Sequence, residues 1–128
     1  MDSWARRAGL AALFTVFSGL VLAAHLATWA DRPVHLIAGM NQRKDAAEFL
    51  RPLLRYAASV RAVAEPGQHL AMPVEAIIAA SGGVAQPGGR VADVLRALAR
   101  EDGPEARVLI CGTLYLAGEV LKQDEGLL

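Results

Sequence analysis

The sequence predicts an α/β fold: a mostly parallel sheet with flanking helices. Three observations predict it. Short apolar runs at 34–38, 60–64 and 107–111 read as strands, and two of them stop at a glycine, Gly39 and Gly112. Amphipathic stretches with helix start and stop signals lie between the runs. Strands that alternate with crossover helices imply right-handed parallel connections.

The elements follow in order. "AGLAALFTVFSGLVLAAHLATWA", residues 8–30, comes after Arg6 and Arg7. Two readings are open. A run of ~20 apolar residues can span a bilayer, and arginines before it suit a signal or an anchor. Alternatively, the stretch is an Ala/Leu-rich helix buried in a globular domain. Ala and Gly insert weakly into membranes, and "LAAHLATWADRP" reads as a helix leading into the first strand, which favours the buried helix. Leu22 and Leu26 share one face of that helix, with Trp29 in reach of Leu26. Asp31-Arg32-Pro33 ends it, because proline disfavours helix in the residue before it.

Val34 to Ala38 is apolar on both faces, as a central parallel strand is. Asp45 is then a helix N-cap with Glu48 as its capping-box partner. Phe49, Leu50, Leu53 and Leu54 line one helix face, and Pro52 forces a kink or a tight turn. The run at 60–64 is the second strand. "EPGQHLAMP" is a loop, Pro73 opens a helix, and Gly82-Gly83 stops it after Ser81. Val84-Ala85 is too short to assign, and "QPGGR" reads as a turn. Val91, Val94, Leu95 and Leu98 form an apolar stripe, with Arg90, Asp93, Arg96 and Arg100 facing solvent. Arg107 to Cys111 is the third strand, and a last helix is expected near 114–121.

Composition narrows the function. The 128 residues carry 13 basic and 13 acidic side chains, for a net charge of zero. Nucleic acid is therefore not an expected partner, since phosphate binding needs a basic surplus. The single cysteine, Cys111, permits no internal disulfide and no thiolate-built zinc site. It fits a reducing compartment, so a cytoplasmic location is expected, with membrane attachment through residues 8–30 as the alternative.

In open α/β sheets, ligands bind beyond the carboxyl ends of the strands. Those ends read "GMNQRKD", "AEPGQH" and "CGTLY", and they gather Arg43, Lys44, Asp45, Glu65, His69 and Thr113. Gly39 and Gly112 let the backbone turn tightly or approach a ligand. The plain alternative is two strand-to-loop turns among solvated charges, and spacing alone favours it. His69 has no Cys or Asp at metal or triad spacing. His25 lies on an apolar helix and reads as packed. Cys111 has no basic neighbour in sequence, against a catalytic thiol. Neither GxxxxGK[ST] nor GxGxxG occurs, so there is no phosphate-cradling loop. No catalytic or metal-ligating residue is assigned.

Three segments together resemble one family. "RPVHLIAGMNQRKDAAEFLRPL", "HLAMPVEAIIAA" and "RVLICGTLYLAGEVL" look like the C-terminal domain of folylpolyglutamate synthase/dihydrofolate synthase, in the Mur-ligase superfamily. The resemblance runs from about Leu22 to Leu121 and is strongest at 34–45 and 112–121. It implies a Rossmann-like, mostly parallel sheet with flanking helices, incomplete here. It divides the chain into an atypical apolar segment, 1–21, a domain fragment, 22–122, and a tail, 123–128.

The resemblance further implies an ATP-dependent amide ligase of folate biosynthesis and one-carbon metabolism. Such enzymes phosphorylate a carboxylate on dihydropteroate or a folate, and the amine of glutamate displaces the phosphate. ATP and magnesium serve them, the metal neutralising the phosphates. The C-terminal domain is a lid that contacts nucleotide and glutamate. Carried over by position, Thr113 matches a family Ser after Gly112, where a hydroxyl faces glutamate. Lys44 and Asp45 match a Lys-Asp pair after Gly39, and His69 lies in a loop at the same cleft. The family's ATPase domain, with its phosphate loop and magnesium ligands, has no counterpart in this sequence. A family Asp-Gly-(Ala/Gly)-His-Asn-Pro motif belongs just before "GLVLAAHLATW". Here that place reads "ALFTVFS", Ala12 to Ser18, with no Asp, His or Asn. The first strands of the domain are expected to be missing too. A truncated or frame-shifted reading frame explains these departures. The expected function is thus a ligase domain fragment that is inactive alone. The alternative is a small membrane-anchored or exported α/β binding module.

Overall fold

In the computed structural model, residues 11–15, 19–29, 31–68, 70–101 and 107–112 are described. They form a five-stranded, all-parallel sheet. The strands are β1 (Ala11–Thr15), β2 (Val34–Gly39), β3 (Ser59–Val63), β4 (Gln86–Gly89) and β5 (Arg107–Gly112), in the spatial order β1-β5-β2-β3-β4. The helices between them are α1 (Gly19–Leu26), α2 (Ala46–Leu50), α3 (Val74–Ala80) and α4 (Val91–Glu101). Short 3-10 turns at Ala27–Trp29 and Leu54–Tyr56 precede β2 and β3.

The order of the strands dictates the layers. From β1 to β4 the chain moves across the sheet in one direction, and it then returns to insert β5 between β1 and β2. Right-handed crossovers put α1, α2 and α3 on one face and the returning α4 on the other. The core divides accordingly. Leu36, Ala38, Val60, Ala62, Leu109 and Cys111 pack with Leu22, Leu26, Leu50 and Ile77 on the first face. Ile37, Val63, Val108 and Ile110 pack with Val91, Val94, Leu95 and Leu98 on the second. Alternate residues of one strand thus serve both layers, which is why β2 is buried along its whole length.

Most local signals act as expected. Asp45 accepts from the Glu48 N–H at 3.0 Å and caps α2. Pro52 cannot donate to residue 48, so α2 ends at Leu50 and the chain tightens into the turn at Leu54–Tyr56. Gly82 and Gly83, at φ +71° and +85°, close α3, with the Gly83 N–H reaching the Ile78 carbonyl at 3.0 Å.

Three expectations are corrected. Residues 8–30 are not one helix: Ala11–Thr15 is a strand in parallel register with β5, from Ala11 opposite Arg107 to Thr15 opposite Cys111, and α1 starts at Gly19. A strand therefore stands where the first strands were expected to be missing. "QPGG" is not a turn but edge strand β4, where Pro87 is tolerated because an edge leaves one side unpaired. His25 is exposed rather than packed, its ring edge-on to Trp29 at 4.9 Å. Among the described residues, no helix is long and apolar enough to cross a membrane. The helix expected near 114–121 lies outside the described residues.

Candidate functional site

The parallel strands bring the carboxyl ends of β1, β5, β2 and β3 to one edge. At its centre Gly39 pairs with Gly112. Gly112 sits at φ +138°, and a Cβ there would lie 1.6 Å from the Gly39 carbonyl oxygen. Only glycine permits this approach. The space that sequence reasoning left open for either a turn or a ligand is taken, at Gly112, by the neighbouring strand.

The loop after β2 is held by its own bonds. Gln42 N–H donates to the Leu70 carbonyl and Met72 N–H to the Met40 carbonyl, both at 2.8 Å. Arg43 N–H donates to Asn41 Oδ1 at 3.0 Å. Arg43 points its exposure to solvent, whereas Lys44 is half-buried. Lys44 Nζ donates to the Gly112 carbonyl at 3.4 Å and lies 4.1 Å from the centre of the Phe49 ring. Of the predicted site residues, the structure thus brings Gly39, Lys44, Asp45 and Gly112 together. Thr113 and His69 lie outside the described residues.

Glu65, after β3, has a different task. Its side chain is fully buried, accepting from the Val91 N–H at 2.9 Å and pairing with Arg90 Nε at 3.2 Å. It satisfies an orphan N–H at the start of α4 and ties that helix to the sheet. Nothing in the spacing of Glu65 and Val91 announces this bond; it depends on β4 bringing the chain back beside β3.

Cys111 faces the first core layer, its Sγ 3.7 Å from the Ile37 carbonyl. Burial pushes its thiol up to about 12, and the nearby Lys44 only partly opposes this. A thiol so disposed stays protonated and is no nucleophile at neutral pH.

A cleft of about 680 Å³ opens beside this edge, lined by Gly19, Leu20, Lys44, Asp45, Phe49 and Arg51 among others. It mixes apolar walls with both signs of charge. Magnesium, which the family resemblance implies, does not fit the donors described. No cluster of His, Cys, Asp and Glu able to hold a metal occurs among the described residues. Asp45 is used as a helix cap and Glu65 as the tie to α4. The place of the family's motif, Ala12 to Ser18, begins within β1, whose residues Ala12 to Thr15 include no Asp, His or Asn.

No family model and no curated protein matches the sequence. Solved structures do. E. coli FolC in complex with ADP is similar with a TM-score of 0.77 at 19% identity, over 91% of this chain and 29% of that one. The bifunctional folylpolyglutamate synthase/dihydrofolate synthase of Yersinia pestis, complexed with AMPPNP and Mn ion, is similar with a TM-score of 0.74 at 18% identity, over 86% and 27%. Mycobacterium tuberculosis folylpolyglutamate synthase complexed with ADP gives 0.67 at 20%, over 84% and 28%. The chain spans less than a third of the length of these proteins, and over most of its own length it has the α/β fold that they contain.

Proposed function

We propose that this chain is a C-terminal domain of the folylpolyglutamate synthase/dihydrofolate synthase type, contributing contacts to glutamate and nucleotide but not turning over ATP by itself. The observation that supports the family reading is the agreement of two lines. Three sequence segments resemble that domain in order, and the fold is similar to solved folate ligases over 84–91% of the chain. On this reading residues 22–122 carry the domain, with β1 paired alongside. Gly112 and Thr113 border the glutamate, and Gly39, Lys44, Asp45 and His69 line the loop beside the cleft. Phosphoryl transfer needs the phosphates held and their charge compensated. An ATPase domain supplied separately has to do that.

Complementation in trans tests the reading. Mixing the chain with the isolated N-terminal ATPase domain of a FolC-type ligase, ATP, magnesium, dihydropteroate and glutamate should raise glutamate ligation above that of the ATPase domain alone. Thr113→Ala should abolish the gain. No gain at any concentration, with both partners folded, sinks the proposal. Against the alternative of a membrane-anchored module, no helix among the described residues is long and apolar enough to cross a membrane.

A further inference from the structure

At the opposite, amino edge of the sheet the two 3-10 turns come side by side. Trp29 and Tyr56 then stand on either side of the start of β2 and line a pocket of about 280 Å³. Its floor is apolar and closed: Leu26 is 1% and Val34 3% exposed. Its rim is cationic. Arg32 and Arg55 both line it. Arg107 stands 5.4 Å from the centre of the Trp29 ring, on the same side chain that walls the pocket.

Among the described residues the charges here do not balance. Asp31 takes Arg107 at 3.2 Å and Arg32 only at 3.9 Å, so one carboxylate faces two guanidiniums. Arg55 has a neutral partner instead: it donates to the Tyr56 hydroxyl at 2.6 Å and lies 4.8 Å from the centre of its ring. Its planar fork is thereby oriented at the pocket wall, and no carboxylate among the described residues neutralises it. An oriented guanidinium recognises a carboxylate through paired N–H donors, and aromatic walls recognise a flat ring. The volume is below that of a drug-sized site and accommodates one ring rather than a nucleotide.

We propose that this pocket binds a small aromatic carboxylate, its ring between Trp29 and Tyr56 and its carboxylate on Arg55 and Arg32. The site is independent of the ligase reading, since it lies at the other end of the strands from Gly39 and Gly112.

NMR titration of the full, nitrogen-15-labelled chain tests it, following the Trp29 indole N–H. The probes are benzoate, its neutral analogue benzamide, and acetate. Benzoate should shift the Trp29 signal saturably, with at least tenfold tighter binding than either of the others. Arg55→Ala and Arg32→Ala, both at exposed positions, should each weaken benzoate several-fold, while Lys44→Ala at the far edge should leave it unchanged. Raising salt should weaken benzoate and not benzamide. Equal binding of benzoate and benzamide overturns the arginine assignment, and equal binding of benzoate and acetate overturns the aromatic one. No saturable shift of Trp29 by benzoate overturns the site.

Discussion

The two ends of the sheet differ in how their polar groups are used. At the carboxyl edge the protein engages several of its own polar groups, although the buried Gln68 Oε1 has no hydrogen-bond partner among the described residues. Gly112 meets Gly39, Lys44 donates to a carbonyl, Asp45 caps α2, and Glu65 holds α4. At the amino edge, among the described residues, guanidiniums outnumber carboxylates and aromatic walls stay partly open. The difference teaches that a fold's usual ligand edge is a place, not a site. Whether it binds depends on polar groups left uncommitted there, and in this chain Lys44, Asp45 and Glu65 are each engaged by the protein itself.

The sharpest way to break the closed edge is Gly112→Ala. The new methyl meets a carbonyl oxygen and the residue keeps a positive φ, so the expected loss is about 4 kcal/mol in a denaturant titration. A loss under about 1 kcal/mol would mean that β2 and β5 separate easily and that the edge is not closed. Next comes the floor of the open edge. Leu26→Ala should cost about 3 kcal/mol by the same titration, through lost burial and an unfilled cavity. An equally stable variant would make α1 an appendage rather than a layer.

A smaller effect tests the committed carboxylate. Glu65→Ala leaves the Val91 N–H and Arg90 without their partner, and about 2 kcal/mol should be lost. Hydrogen exchange should rise first in α4, because that helix alone loses its tie to β3. Uniform exchange across the domain would contradict a local role. The smallest effect is chemical. The Cys111 thiol is raised by burial, so the fold favours its protonated form. That contribution is complete below pH 9.0 and is lost as pH rises toward about 12. Compared with Cys111→Ala, the native chain should lose stability faster across that window. At pH 8 the thiol should react with a disulfide reagent only as fast as the chain unfolds. Rapid labelling of folded protein would show the edge to be open.

How much of this was legible in the sequence follows from how local each feature is. The stripe Val91, Val94, Leu95 and Leu98 has the period of a helix, and all four are buried as it predicts. Strand β2 is bounded by Pro33 and Gly39 and reads directly. Strand β1 does not, because Ala and Leu dominate around it and no Gly or Pro lies between Ala11 and Gly19. It is a strand through pairing with β5, whose register begins at Arg107. Strand β4 hides behind "QPGG", residues that signal a turn unless an edge is at hand. The gathering of Gly39, Lys44, Asp45 and Gly112 at one edge was legible through strand ends. The amino-edge pocket was not, since it needs turns at Ala27–Trp29 and Leu54–Tyr56 to meet across β2.

The central claim is that this chain has the α/β fold contained in folate ligases, and the proposal built on it is that the chain does not turn over ATP by itself. The most direct test is ADP formation by the purified chain given ATP, magnesium, dihydropteroate and glutamate. The account predicts no ADP above the protein-free rate. Steady ADP release that requires both dihydropteroate and glutamate would contradict it.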